Sequence, residues 1–532
     1  MKGITVWSAF YDVLRAYNVS TIFGNPGSTE QPMLKNFPSD FQYILGLQEA
    51  SVVGMADGYS QATRKPAVAV LHTGAGTGNG MGNILTAFLN KTPLIIIAGR
   101  QTRQMLIGDP YLTNRDATML PIPWVKWSYQ PVRAEDVPAA LVRAIAIATM
   151  PPAGPVFLSI PSDDWVAEID SAPAIRTVST IVAPDPERLA DFAIRISKAR
   201  KVALVLGEEV DMSLGWQAAV KLAKLLNVPV FLVPLSERAV FPEDHPLFQG
   251  SLPIARGPLS TALKSFDLAL VIGAEIWRYY PYAAGPVSPP GLELLQITND
   301  PHDAGSALVG DSLLSDARLA LEGLYLLLRN STAVSSTNGT AKASQTAPAP
   351  TQSTPKNSTA LMTAAEAFEL WLCFESPSNV GDLLEAWPIV EQETYFTSAS
   401  GGLGWGAPAA VGIALAQRNR TVVLTIGDRS LHYSVQSIYT AVQHKLKLII
   451  LVPRNEEYAI LKEFVVFEDT PKCPALNLPG LDAKAVAEAY GCSAFCADTP
   501  ADLYAAFQKA RKIDGPFLIE FQIDPKLEPL PI

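Results

Sequence analysis

Cysteine is scarce, with four thiols (Cys373, Cys473, Cys492 and Cys496) in 532 residues. So few exclude the disulfide framework of a small secreted scaffold, and the Cys492-x-x-x-Cys496 pair lacks nearby histidines for a zinc site. Positive charge is not in excess either: Lys+Arg number 41 against Asp+Glu 51, a formal net charge of −10. Phosphate neutralisation needs a basic face, so nucleic acid is not an expected partner. No apolar run approaches the roughly 18 residues that a membrane-spanning helix needs. The opening MKGITVWSAFYDVLRAYNV sets Asp12 and Arg15 inside an amphipathic helical pattern, without the apolar core of a signal peptide. These absences predict a cytoplasmic protein that works on small molecules, with no membrane and no nucleic acid.

What the chain does have is apolar bulk, 48% hydrophobic with 17% charged, and 43 prolines that fit many short loops. Its length suggests roughly three domains. Apolar runs at 67–71, 94–98 and 156–160 alternate with helix-length segments, the mark of a buried parallel sheet with crossover helices. The rhythm restarts at 202–207 and continues through 228–233, 268–273 and 294–297. A third block carries 421–426, 448–452 and 517–521, with one helix expected from Ser434 to His444. Between the second and third blocks, residues 330–360 hold almost no large apolar side chain and read as a flexible linker. Sequons at Asn330, Asn338 and Asn357 are the chance product of a Ser/Thr-rich tract. The expected fold is α/β, three open doubly wound parallel-sheet domains at 1–178, 183–329 and 361–526.

Four places concentrate chemistry. The stretch GNPGSTEQP, 24–32, imposes a rigid turn through glycine and proline and displays Ser28 after the strand that ends at Phe23. Glu49 follows the next strand with apolar neighbours on both sides, and His72 ends the strand 67–71 just before a glycine-rich run, so Ser28, Glu49 and His72 share one sheet's carboxyl rim. In the third block Asp428 and Asn455 each follow a strand, one crossover unit apart, and can face a common point. A carboxylate, an amide oxygen and a backbone carbonyl suit Mg²⁺. A rival reading takes Gly402-x-Gly404-x-x-Ala407, with Asp428 about 20 residues on, as a dinucleotide fingerprint. Each of these residues taken singly is also an ordinary cap or turn former.

GNPGS at 24–28, LQEASVVGMADGY at 47–59, LHTGAGTGNGMGN at 71–83, VKWSYQP at 125–131, GGLGWGAPAAVG at 401–412 and GD…N at 427–455 together resemble thiamine-diphosphate-dependent 2-oxo-acid decarboxylases, benzoylformate decarboxylases above all. The resemblance runs essentially end to end. It implies a pyrimidine-binding domain, a middle domain and a diphosphate-binding domain, matching the three blocks. It also implies roles. Glu49 hydrogen-bonds the aminopyrimidine of thiamine diphosphate and starts the proton relay that activates it. Gly401 accepts from the exocyclic amine and Leu403 wedges the cofactor into its bent form. Asp428, Asn455 and the Glu457 carbonyl hold Mg²⁺, with Ser378, Ser430, Tyr433 and Tyr458 as phosphate partners. Ser28 meets the carboxylate of a small 2-oxo acid, His72 manages protons, and Ile460, Leu461 and Phe464 line the substrate pocket. The cofactor lies between two copies of the chain, a homodimer or homotetramer.

Departures from the family pattern sit at Arg429, in place of glycine after the metal-binding aspartate, at Arg454, in place of asparagine, and at Tyr280, where a second catalytic histidine is expected. Ile460 stands where the family has a small residue and narrows the pocket. A glycine position filled by Arg429 predicts backbone strain, so that Arg429→Gly tightens cofactor binding. The alternatives to decarboxylation are a 2-hydroxyketone lyase or ligase with the same cofactor, and a catalytically weak homologue kept for binding or assembly.

Overall fold

In the computed structural model residues 4–337, 370–524 and 530 are described. Three six-stranded sheets form, every adjacent pair within them parallel. Strands such as Val202–Leu206, Leu268–Ile272 and Val156–Pro161 are buried along their whole length. Crossover helices cover both faces of such a sheet, which is why the runs are continuously apolar rather than alternating.

Counting each sheet's strands in chain order, the first and third share the order 2-1-3-4-6-5, and the middle sheet runs 3-2-1-4-5-6. An open parallel sheet binds ligands where the strand order reverses, at the strands' carboxyl ends. In the first sheet that crevice opens between Thr21–Gly24 and Ala67–Leu71. In the third it opens between Leu370–Glu375 and Thr421–Ile426. The segments leaving these strands carry Ser28, His72, Ser378 and Asp428, so topology alone puts the expected residues at two switch points.

The first and third domains share one continuous core, in which Val52, Val53 and Met55 pack with Ala409, Ala410 and Ile413. Helix Glu49–Thr63 crosses helix Gly406–Ala416 at glycines. A Cβ on Gly58 would fall 2.2 Å from the Ala409 carbonyl oxygen, and one on Gly412 would fall 2.0 Å from that of Met55. Only glycine permits so close a crossing. Trp405 Nε1 donates to Asp57 Oδ2 at 2.7 Å across the same seam. The middle domain keeps separate cores around Leu204 and Val205.

Two expectations need correction. The helix read over Ser434–His444 is shorter, Ser437–Gln443, and is set off from a separate helix, Asp428–Tyr433, that precedes it. The Ser434 hydroxyl donates to the Gly404 carbonyl at 2.7 Å, and its backbone leaves helical geometry there (φ −144°). The tract read as flexible is helical at its start, because helix Ala317–Thr337 runs eight residues into it. That stretch has neither proline nor glycine before Gly339, so nothing local stops the helix. Residues 338–360, with Asn338 and Asn357, lie outside the described residues. Among the described residues no helix is long and apolar enough to cross a membrane.

Candidate active site

At the third sheet's switch point a small cavity of about 70 Å³ is lined by Ser378, Leu403, Asp428, Ser430, Asn455 and Ile460, among others. Asp428 is buried at the start of helix Asp428–Tyr433. Its Oδ2 accepts from the backbone N–H of Asn455 (3.2 Å) and Glu456 (3.0 Å), and its Oδ1 from that of Arg429 (2.7 Å). Asn455 Oδ1 accepts from the Glu457 N–H at 3.2 Å. The two strand ends are thus tied together, as the crossover spacing predicted. Glu457 turns its Oε2 to Lys462, and its Oε1 is buried without a hydrogen-bond partner among the described residues.

Arg429 and Arg454 leave this oxygen cluster intact. Arg454 points away, to Gln522 (3.2 Å) and Glu520 (3.5 Å). Arg429 lies outside the left-handed region, so the strain expected of a glycine replacement is absent. Its guanidinium instead stands over the rings of Tyr458 (4.7 Å) and Tyr433 (5.6 Å) at the cavity wall.

The loop Gly401–Gly404 is held by a residue that the sequence did not flag. Glu375, buried at the end of its strand, accepts from the backbone N–H of Gly404 and Trp405, both at 2.8 Å, and of Gly406. Burial pushes its carboxyl up to about 7, against the pull of those three bonds. This excludes the dinucleotide reading: the helix N-terminus that would hold a pyrophosphate is already filled by the protein's own carboxyl. Gly401 (φ +66°) and Gly404 (φ +102°) supply the left-handed backbone that lets Leu403 reach the cavity.

At the first sheet's switch point Glu49 opens its helix and is buried, with Oε1 accepting from Asn25 Nδ2 and Oε2 from Asn79 Nδ2, each at 3.1 Å. His72 Nδ1 lies 2.9 Å from Glu30 Oε2. Facing a carboxylate, Nδ1 carries the proton, which leaves Nε2 free. Glu30, only 2% exposed, also accepts from Gly27 N–H (2.9 Å), Gly99 N–H (3.0 Å) and the Thr29 hydroxyl (2.6 Å). Gly27 is required by contact, since a Cβ there would fall 2.0 Å from His72 Nδ1. Ser28 stands exposed at the tip of the turn.

Family profiles match all three domains. Residues 4–114 fit the thiamine pyrophosphate enzyme N-terminal TPP binding domain, 189–324 the central domain and 378–521 the C-terminal TPP binding domain. The chain is 41% identical to benzoylformate decarboxylase of Pseudomonas aeruginosa over 97% of its own length and 98% of that protein's. It belongs to the thiamine pyrophosphate enzyme family. Among solved structures in the family, benzoylformate decarboxylase from Polynucleobacter necessarius superposes with a TM-score of 0.93 at 46% identity, covering 99% of this chain and 100% of that one. The Rhodococcus jostii 4-hydroxybenzoylformate decarboxylase gives 0.89 at 35% identity, covering 98% and 100%. The resemblance and the three-sheet fold read from the sequence are both borne out.

Within this family member the expected residues form two groups. Ser378, Leu403, Asp428, Ser430, Asn455, Glu457, Tyr458 and Ile460 line one cavity, with Tyr433 beside it through Arg429. Tyr280 of the middle domain reaches the same region: its ring lies 5.4 Å from that of Phe464, on the helix carrying Ile460 and Leu461. Ser28, Glu49 and His72 make up the second group and are not in that lining. Asn25, Glu30, Asn79 and Glu375 are the residues sequence reasoning missed.

Proposed function

We propose that this chain is a thiamine-diphosphate- and Mg²⁺-dependent carboxy-lyase that converts a benzoylformate-like 2-oxo acid and a proton into an aldehyde and carbon dioxide. The observation that carries it is the cavity in which an all-oxygen cluster, Asp428 and Asn455, lies beside the apolar pair Leu403 and Ile460. Among the described residues no group of three or more His, Cys, Asp or Glu forms a metal site. One carboxylate supplemented by amide and carbonyl oxygens fits a hard cation that draws its remaining ligands from a diphosphate and water. Bound there, thiamine diphosphate supplies a carbon nucleophile and an electron sink.

The chain's own groups bind, orient and move protons. Ser378, Ser430 and Tyr458 offer hydroxyls to the diphosphate, and Glu375 fixes the turn that presents Leu403 and the Gly401 carbonyl. Glu49, held by two amides, is the proton-handling acid on the pyrimidine side. Ser28 offers its hydroxyl to the substrate carboxylate. His72, oriented through Glu30, moves a proton at Nε2. Ile460, Leu461, Phe464 and Tyr280 wall the substrate side. Since Ser28, Glu49 and His72 lie outside the Asp428 cavity, a second copy completes each site, in a homodimer or homotetramer acting in the cytoplasm.

A panel of 2-oxo acids, aromatic through short aliphatic, assayed for aldehyde with and without thiamine diphosphate and Mg²⁺, tests the function. Aldehyde only with both cofactors is expected. Failure across the panel, or faster cleavage of 2-hydroxyketones, overturns it. Sedimentation showing a fully active monomer overturns the shared site.

A further inference from the structure

Away from the site just described, a cavity of about 640 Å³ opens where the first and middle domains meet. Its walls carry four cationic side chains, Arg64, Lys91, Arg238 and Arg318, and one acidic one, Asp316. Three of the cations are engaged within the protein. Arg64 pairs with Asp211 (3.2 Å) and Glu393, and Lys91 with Asp303 (2.8 Å) and Glu209 (3.1 Å). Arg318 donates to the Ser213 carbonyl at 3.2 Å and pairs with Glu322.

Arg238 differs. It is 7% exposed, and its guanidinium has no hydrogen bond and no close ion pair among the described residues: it stands over the face of Phe396 at 5.3 Å, with the carboxylates of Asp211, Asp57 and Glu237 acting on it through space. A ring face leaves the five N–H donors of a guanidinium unmatched. A buried charge is ordinarily paired or hydrogen-bonded, because desolvating it without a partner is strongly unfavourable. Gln61, also in the wall, shows the complementary defect: its Nε2 donates to Asp57 at 2.7 Å while its buried Oε1 receives nothing.

We propose that this cavity binds a small molecule bearing an oxyanion, carboxylate or phosphate, whose charged end meets Arg238 and whose hydrogen-bond donor meets Gln61. The volume lies within the range of small-molecule sites, about 300–1,000 Å³. Such a ligand has a route to the catalytic loop. Arg238 stacks on Phe396 in the strand Tyr395–Thr397 that leads to Gly401 and Leu403. Gln61 holds Asp57, which in turn accepts from Trp405 Nε1.

Calorimetry on the holoenzyme, with the cofactor site filled, tests the proposal with two probes, inorganic phosphate and benzoate. Saturable binding of either, weakened roughly tenfold or more by Arg238→Gln, is expected, in line with loss of a charge-assisted hydrogen bond. The probe that binds distinguishes a phosphate-bearing from a carboxylate-bearing ligand. Arg318→Gln should weaken the same binding several-fold and serves if Arg238→Gln does not fold. Crystals soaked in selenate should show the anion on the Arg238 guanidinium. Absence of saturable binding by both probes at millimolar concentration, or binding undiminished in both variants, overturns the proposal and leaves the decarboxylase reading untouched.

Discussion

Replacing Glu30 by Gln removes one acceptor oxygen from a carboxylate that receives four donors: Gly27 N–H, Gly99 N–H, the Thr29 hydroxyl and His72 Nδ1. If the amide oxygen stays with Gly99 and Thr29, the new NH₂ faces two donors, Gly27 N–H and His72 Nδ1–H. The imidazole escapes by moving its proton to Nε2, so the nitrogen that was free to accept becomes a donor. Gly27 N–H has no such escape. An unsatisfied buried donor costs about 1–3 kcal/mol and a lost charge-assisted bond about 1.5–3, so unfolding stability should fall by about 2.5–6 kcal/mol. Turnover should fall roughly 10²-fold or more, the usual scale for removing a positioned acid or base. Rates of aldehyde release for Glu30→Gln, His72→Asn and the double variant, beside denaturant unfolding of each, measure both effects. The double variant should turn over no more slowly than His72→Asn alone, because Glu30 acts through the imidazole. Glu30→Gln within twofold of the parent rate, or losses that multiply in the double variant, would refute the reasoning.

Glu49→Gln should keep the fold but lower turnover roughly 10²- to 10⁴-fold, since an amide cannot exchange the proton; near-normal rates with an unchanged circular dichroism spectrum would remove Glu49 from its role. Burial lifts the Glu375 carboxyl from 4.5 to about 7. The folded chain therefore holds a proton that the unfolded chain has released. The stability this group contributes is fully present below pH 4.5 and lost as pH rises through 7, about 3 kcal/mol in all. Denaturant titrations of Glu375→Gln should accordingly decline less between pH 5 and 8 than those of the parent, and an identical slope would contradict it. With strain absent at Arg429 and its guanidinium at the cavity wall, Arg429→Gly should bind thiamine diphosphate with Mg²⁺ roughly tenfold more weakly, consistent with one lost charge-assisted bond. Calorimetry on metal-stripped protein that found equal or tighter binding would overturn this.

What the sequence disclosed and what it hid follow from the range of the interactions involved. Continuous apolar runs such as Leu268–Ile272 betray buried parallel strands, because both faces of each strand are covered. Residues directly beyond those strands, Asp428 and His72, are then legible as rim residues. Glu30 was passed over although it lies two positions from Ser28, since its partners come from separate strands and helices whose adjacency no local spacing encodes. Asn25 and Asn79 escaped for the same reason, reaching Glu49 from either side. Glu375 read as the end of an apolar strand, and its task is set by a loop about 30 residues later. The break at Ser434 depends on the distant carbonyl of Gly404. The helix beyond Arg329 was masked by a composition that suits a linker equally well.

The two kinds of seam in this molecule should respond to salt to different degrees. The first and third domains meet through glycines and apolar side chains, and excluded ions such as sulfate strengthen burial of that kind. The middle domain meets the first through Arg64 to Asp211 and Lys91 to Asp303, pairs whose burial blunts screening by mobile ions, and meets the third where Trp216 and Ala239 share a core with Leu372 and Phe374. Raising the concentration of such an excluded ion therefore tightens the first seam and changes the second little. The chain is a two-domain clamp carrying a third body moored by buried charge pairs and an apolar contact, and brine leaves both attachments in place.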